Sequence, residues 1–176
     1  MAVVVLVSVS LSVVFLNPPT AANGAESTQQ LDPTGYAVGS VSGTALVVYD
    51  PSSNGTAKGV ASQIASDLQA QGDFVYLTPI DSTTSKSDVN QCQFIVVGGP
   101  TVNGEASSLV QSYLKNLTPA NGTLIGVFGV GSSNVPGDKL ALIPSGKSLP
   151  INVIEEINPS QDISSQSAVF VAELLS

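Results

Sequence analysis

The chain has 176 residues, of which only 10% are charged, and 13 acidic against 5 basic side chains give a formal net charge of −8. All five cations are lysines, and histidine and arginine are absent. Imidazole catalysis and histidine-ligated metals are therefore excluded. A nucleic-acid partner is excluded too, because it needs a clustered basic surface. The single Cys92 rules out an internal disulfide.

Residues 1–16, MAVVVLVSVSLSVVFL, carry no charge, and the first charged side chain is Glu26. Three readings stay open. One is a secretory segment cleaved near Ala22. Another is an uncleaved anchor, although as a helix it spans about 24 Å against a hydrocarbon core of about 30 Å. In the third, Ser8, Ser10 and Ser12 alternate with Val7, Val9, Leu11 and Val13, which suits a strand lent to a neighbour. Residues 1–16 are thus expected to be exported, to contact membrane, or to drive filament-like self-association. Residues 17–40 read as a linker, punctuated by Pro18-Pro19, Asn23-Gly24 and Asp32-Pro33. Residues 41–176 then form one domain.

Within it, Thr44 to Tyr49 is a β-branched apolar run that predicts a buried parallel strand. Val60, Ile64 and Leu68 recur every four residues, with Ala61 and Ala65 beside them, and predict a helix ending at Gly72-Asp73. Phe74 to Leu77 is the second strand, and 81–90 a short polar connection. Phe94 to Val97 is the third strand, ending at Gly98-Gly99-Pro100. A helix over 106–117 places Leu109, Val110, Tyr113, Leu114 and Leu117 on one face. Leu124 to Phe128 and Leu149 to Ile154 are further strands, and 160–175 a last helix. Alternating strands and helices give β-α-β units and a parallel sheet, whose ligands bind at the carboxyl ends of the strands. Loops 50–56, 98–105 and 129–138 are therefore the candidate site.

No catalytic residue or metal site is assigned. Asp50, Glu105 and Asp138 stand on these three loops and could converge on a hard cation, but Asp50 before Pro51 is more simply a turn initiator. Cys92, just before a strand, reads as buried filler. Ser112 and Lys115 form a Ser-x-x-Lys on a solvated helix face. Asn54, Asn116 and Asn121 each begin an N-glycosylation sequon, whereas Pro159 blocks the one at Asn158. Sugar on Asn54 would compete with any anion for the first loop.

The order of elements and the three loops resemble the flavodoxin-like family over roughly residues 44–175. The resemblance implies a three-layer α/β sandwich with a five-stranded parallel sheet and, because 131–148 is short, a reduced fourth helix. It also implies an FMN site. Ser52, Ser53, Asn54, Gly55 and Thr56 would cradle the phosphate; Pro100, Thr101, Val102 and Asn103 of the second loop and Gly129 and Gly131 of the third would flank the ring. Three features depart from the family pattern, the first being that no Trp, Tyr or Phe occurs from Gly129 to Ser176 except Phe170. Asn54-Gly55 stands in swapped order, and Val102 replaces an aromatic residue that would stack on the flavin. The expectation is therefore an exported cell-surface protein of structural or assembly role, without a cofactor. The competing expectation is an extracytoplasmic FMN electron carrier.

Overall fold

Runs of valine, isoleucine and leucine long enough for a strand, and flanked by turn residues, form the centre of the sheet. The computed structural model describes residues 27–33, 43–51, 55–131 and 149–176. Its elements in chain order are β1 (Gln29–Leu31), β2 (Thr44–Tyr49), α1 (Thr56–Ala70), β3 (Phe74–Pro79), α2 (Thr84–Ser87) and a 3-10 turn at Val89–Gln91. There follow β4 (Phe94–Val102), β5 (Glu105–Ala106), α3 (Ser108–Asn116), β6 (Leu124–Val130), β7 (Ile151–Ile157) and α4 (Ile163–Leu174). Among the described residues, no helix is long and apolar enough to cross a membrane.

The strand order is β1-β3-β2-β4-β6-β7. The pairings β2–β3, β2–β4, β4–β6 and β6–β7 are all parallel. Five strands thus form the expected parallel sheet, wound outward from β2 in both directions. Two short antiparallel strands are additions. β5 pairs with the end of β4. β1 pairs with the outer edge of β3, placing Gln29 opposite Leu77 and Leu31 opposite Val75, and it lies inside the stretch 17–40 read as a linker. Residues 17–26 and 34–40 of that stretch, the apolar residues 1–16 and the reduced fourth helix expected in 131–148 lie outside the described residues, apart from Gly131.

Residues alternate between two buried faces. Ala45, Val47 and Tyr49 of β2 join α1 and α4 in one core through Val60, Ile64, Leu68, Phe170 and Leu174. Leu46 and Val48 join Ile95, Val97, Val110 and Leu114 in the other, beneath α3. The helices sit in two layers about the sheet, as period-2 strands buried on both faces require. α1 ends in a Schellman motif: Gly72 has φ +96°, Asp73 N–H donates to Leu68 O at 3.2 Å, and Gly72 N–H donates to Gln69 O at 3.0 Å.

Three strand glycines are explained by close approach. A Cβ on Gly98 would lie 2.3 Å from the Phe128 ring, and one on Gly126 would lie 2.7 Å from Phe170 Cζ. On Gly99 it would lie 2.7 Å from Asp50 Cβ. The two aromatic rings therefore lie against bare backbone of the sheet.

Candidate functional site

The sheet reverses its winding between β2 and β4, so the carboxyl ends of these strands open the crevice where such folds bind ligands. β2 runs through Tyr49, both its neighbours pairing in register, and Asp50 N–H extends the ladder to Gly98 O at 2.9 Å. The chain then turns into α1. Its cap is Gly55 at φ +80°, with no side-chain hydrogen bond to the helix end and no acidic residue in the first turn. Among the described residues other than its chain neighbours, no atom lies within 4 Å of a Cβ placed on Gly55. The positive end of a fifteen-residue helix therefore lies at this carboxyl edge. Thr56 opens that helix. Ser52, Ser53 and Asn54 lie outside the described residues.

The second expected loop is a hairpin. β4 continues through Gly98, Gly99, Pro100 and Thr101 to Val102, and β5 returns, pairing Thr101 with Ala106 and Val102 with Glu105. The two-residue turn between them is Asn103 at φ +55° and Gly104 at φ +80°. Positive φ at both positions marks the tight hairpin turn for which Asn-Gly is the preferred pair. Gly98-Gly99-Pro100 reads as a strand terminator, yet these residues stay in the sheet, with Gly99 opposite Gly129 and Pro100 opposite Val130.

Gly129 belongs to β6 and Gly131 follows it. A Cβ on Gly131 would lie 2.2 Å from Thr101 Oγ1 and 2.3 Å from Glu156 Oε1. Thr101 Oγ1 lies 3.2 Å from Glu156 Oε1 and 3.3 Å from Val130 O, within donating distance of both. The structure thus brings Pro100, Thr101, Gly129 and Gly131 together at the ends of β4, β6 and β7, with Asn103 at the hairpin tip beyond them. Gly55 and Thr56 stand on the β2 side of the same edge.

One pair at this edge was not singled out in the sequence. Asp50 is fully buried, and Ser107 Oγ donates to its Oδ2 at 2.5 Å. Ser107 also caps α3, accepting from Val110 N–H at 3.3 Å, and its own N–H donates to Pro100 O at 3.1 Å. This ties the end of β2 to the start of α3. The signal was a serine immediately before an apolar helix. Glu105 is exposed, Asp138 lies outside the described residues, and the described residues hold no group of three acids or cysteines arranged for a metal. Behind the edge, burial and the nearby Glu173 raise the Glu155 carboxyl above its ordinary value.

Cys92 lies far from this edge, buried, with its thiol donating to Asp88 O at 3.2 Å. Burial, and secondarily the charge of Asp88, push it up to about 11. Asn116 and Asn121 are exposed at the opposite, amino edge; Asn54 lies outside the described residues.

No protein-family model matches the chain, and no curated protein matches its sequence. Solved structures do resemble it. Oxidised flavodoxin 1 from Bacillus cereus is 17% identical, over 75% of this chain and 97% of that one, with a TM-score of 0.54. Rubredoxin oxygen:oxidoreductase from Desulfovibrio gigas is 20% identical, over 74% and 35%, with a TM-score of 0.54. The flavodiiron core from Synechocystis is 18% identical, over 77% and 36%, with a TM-score of 0.55. The chain spans about a third of the length of the last two. At these identities the likeness establishes the fold, and the fold is flavodoxin-like.

Proposed function

We propose that the domain binds flavin mononucleotide at the carboxyl edge of its sheet and passes electrons through it. The observation that carries this reading is the first loop's exit into α1 at the β2/β4 reversal, through Gly55 at φ +80°. It is supported by likeness to a flavodoxin across nearly that protein's full length. The residues fit the phosphate end of the group. Amides at the α1 N-terminus and the hydroxyls of Ser52, Ser53 and Thr56 suit a phosphate without any arginine. Asp50, the acid nearest this loop in sequence, is buried against Ser107. For the ring, the Asn103-Gly104 hairpin would offer backbone groups in place of an aromatic stack. Bound flavin would supply the electron-accepting chemistry. The protein's part is to hold the phosphate and to shield one side of the ring.

Titration of the purified chain with FMN tests this. Flavin fluorescence should quench at one equivalent, and riboflavin, which lacks the phosphate, should bind more weakly. Thr56→Ala and Gly55→Val should weaken binding while leaving the far-ultraviolet circular dichroism unchanged. Absence of quenching at FMN up to about 1 mM, an affinity weaker than about −4 kcal/mol, refutes the reading.

The setting of the domain is a separate proposal. The uncharged residues 1–16 and the exposed asparagines of two sequons favour an exported chain held to membrane, or to copies of itself, by that segment. Microscopy and vesicle flotation of the full chain, against a chain beginning at Ser27 so that β1 is kept, test it. Identical behaviour of the two refutes a role for residues 1–16.

A further inference from the structure

Between the short 81–91 connection and α3 runs a groove of about 500 Å³. Its floor is Ile80, Val89 and Leu117, all buried. Leu109 stands at its side, 47% exposed although apolar, and Tyr113 is half-buried there, its hydroxyl donating to Ser85 O. The groove exists because α2 is a single turn, too short to cover the flank of α3. Its charged lining, Lys86 and Asp81, cancels. A neutral, amphipathic occupant therefore suits it better than an ion. Asn116 and Thr118, both exposed, are on its rim.

We propose that Asn116 carries an N-linked glycan and that its first sugars lie over this groove. The apolar faces of the sugar rings would cover Leu109 and Tyr113, and their hydroxyls would meet Ser112, Asn90, Lys86 and Asp81. The three sequons are not equivalent. At Asn121-Gly122-Thr123 the threonine is buried, and its hydroxyl donates to Cys92 O at 3.2 Å. That hydroxyl is withdrawn once the chain folds. At Asn116-Leu117-Thr118 both polar side chains face solvent. Asn116 Nδ2 donates to Ser112 O at 2.8 Å. A substituted amide keeps one N–H, so this bond survives modification. In the transfer, Asn116 Nδ2 attacks the anomeric carbon of an oligosaccharide carried on a polyprenyl phosphate by a membrane oligosaccharyltransferase. The new C–N bond forms as the anomeric C–O bond breaks. The phosphate leaves with the bonding pair, and the amide proton passes to a base on the transferase. No oxidation occurs.

This proposal rests on the reading that the chain is exported, not on the flavin reading, and detection of the secreted chain in the medium separates a failure of export from a failure of glycosylation. Its test uses the full chain passed through a glycosylating secretory pathway. Peptide mass spectrometry should find glycan on Asn116. Asn116→Gln and Thr118→Ala, both exposed substitutions, should each remove that glycan, raise fluorescence of an apolar dye at least about twofold, and lower Tm by roughly 3 °C. Asn121→Gln should change neither dye binding nor Tm. An unmodified Asn116 overturns the proposal. So does a glycan on Asn116 whose loss leaves dye binding and Tm unchanged.

Discussion

Ser107 acts at the scale of a single hydroxyl. It donates to Asp50 and caps α3 with the same oxygen. Ser107→Ala should cost about 1–2 kcal/mol in urea denaturation, the usual range for a lost cap, with the buried carboxylate adding to it. Ser107→Thr should recover most of the loss. Gly98 is constrained by sterics. Its missing Cβ leaves the space that the Phe128 ring occupies, so Gly98→Ala should destabilise by about 1–3 kcal/mol, as overpacked cores do. Cys92 bears on chemistry rather than packing. With its thiol pushed up to about 11, about one molecule in a thousand carries a thiolate at pH 8. Disulfide-exchange reagents should label native protein slowly and denatured protein rapidly; equal rates would show that the site opens readily.

The helices and strands differ in how well the sequence announced them. β2 was legible to the residue, because a β-branched run between glycine and Asp-Pro admits little else. The end of α1 was legible for a similar reason, since Gly72 is where a left-handed residue must stand. β4 was misjudged at its carboxyl end. Gly-Gly-Pro looks like punctuation, but each glycine answers a neighbour from elsewhere in the chain, Phe128 for one and Asp50 for the other. Local propensity cannot register such long-range demands. The hairpin turn was nonetheless written in Asn103-Gly104. Gly104→Val should weaken the β4–β5 pairing, lower Tm and, if FMN binds, reduce its affinity, because a β-branched residue is strained at φ +80°. Phe170 ties α4 to the sheet at Gly126, so Phe170→Ala should cost about 3–5 kcal/mol. The candidate site was legible in its placement at three strand ends. The Asp50–Ser107 link was not, because its partners are far apart in sequence.

Across the whole molecule, charge is sparse and histidine absent, so few groups titrate near neutrality. Stability should change little between about pH 6 and 8. At lower pH two carboxyls act in opposite senses. Burial raises the Asp73 carboxyl, whose Oδ1 has no hydrogen-bond partner among the described residues. Its folded state thus holds the proton more tightly than the unfolded state. This favours the fold below the unfolded value, and the benefit is lost as pH rises through the folded value. Asp73→Asn should accordingly raise Tm more at pH 7 than at pH 4. Asp162, held low first by its hydrogen bonds with Ser165 and then by Ser164 N–H, runs the other way. Its contribution is present above the unfolded value and lost as pH falls through the folded one. Equal effects of Asp73→Asn at both pH values would show that burial of this carboxyl is immaterial.

The strand at Gln29–Leu31 also fixes where the preceding chain enters the domain. Because β1 runs antiparallel to β3, Thr28 lies beside Thr78, with hydroxyl oxygens 2.8 Å apart, near the carboxyl end of that strand. The polypeptide before it therefore joins the domain on the side that carries the Gly55 crevice. If the chain is tethered through its amino-terminal part, as proposed, the tether enters the described domain at Ser27, on the crevice side rather than at the amino edge with Asn116 and Asn121. The point of suspension thus becomes a determinant of who can approach the site.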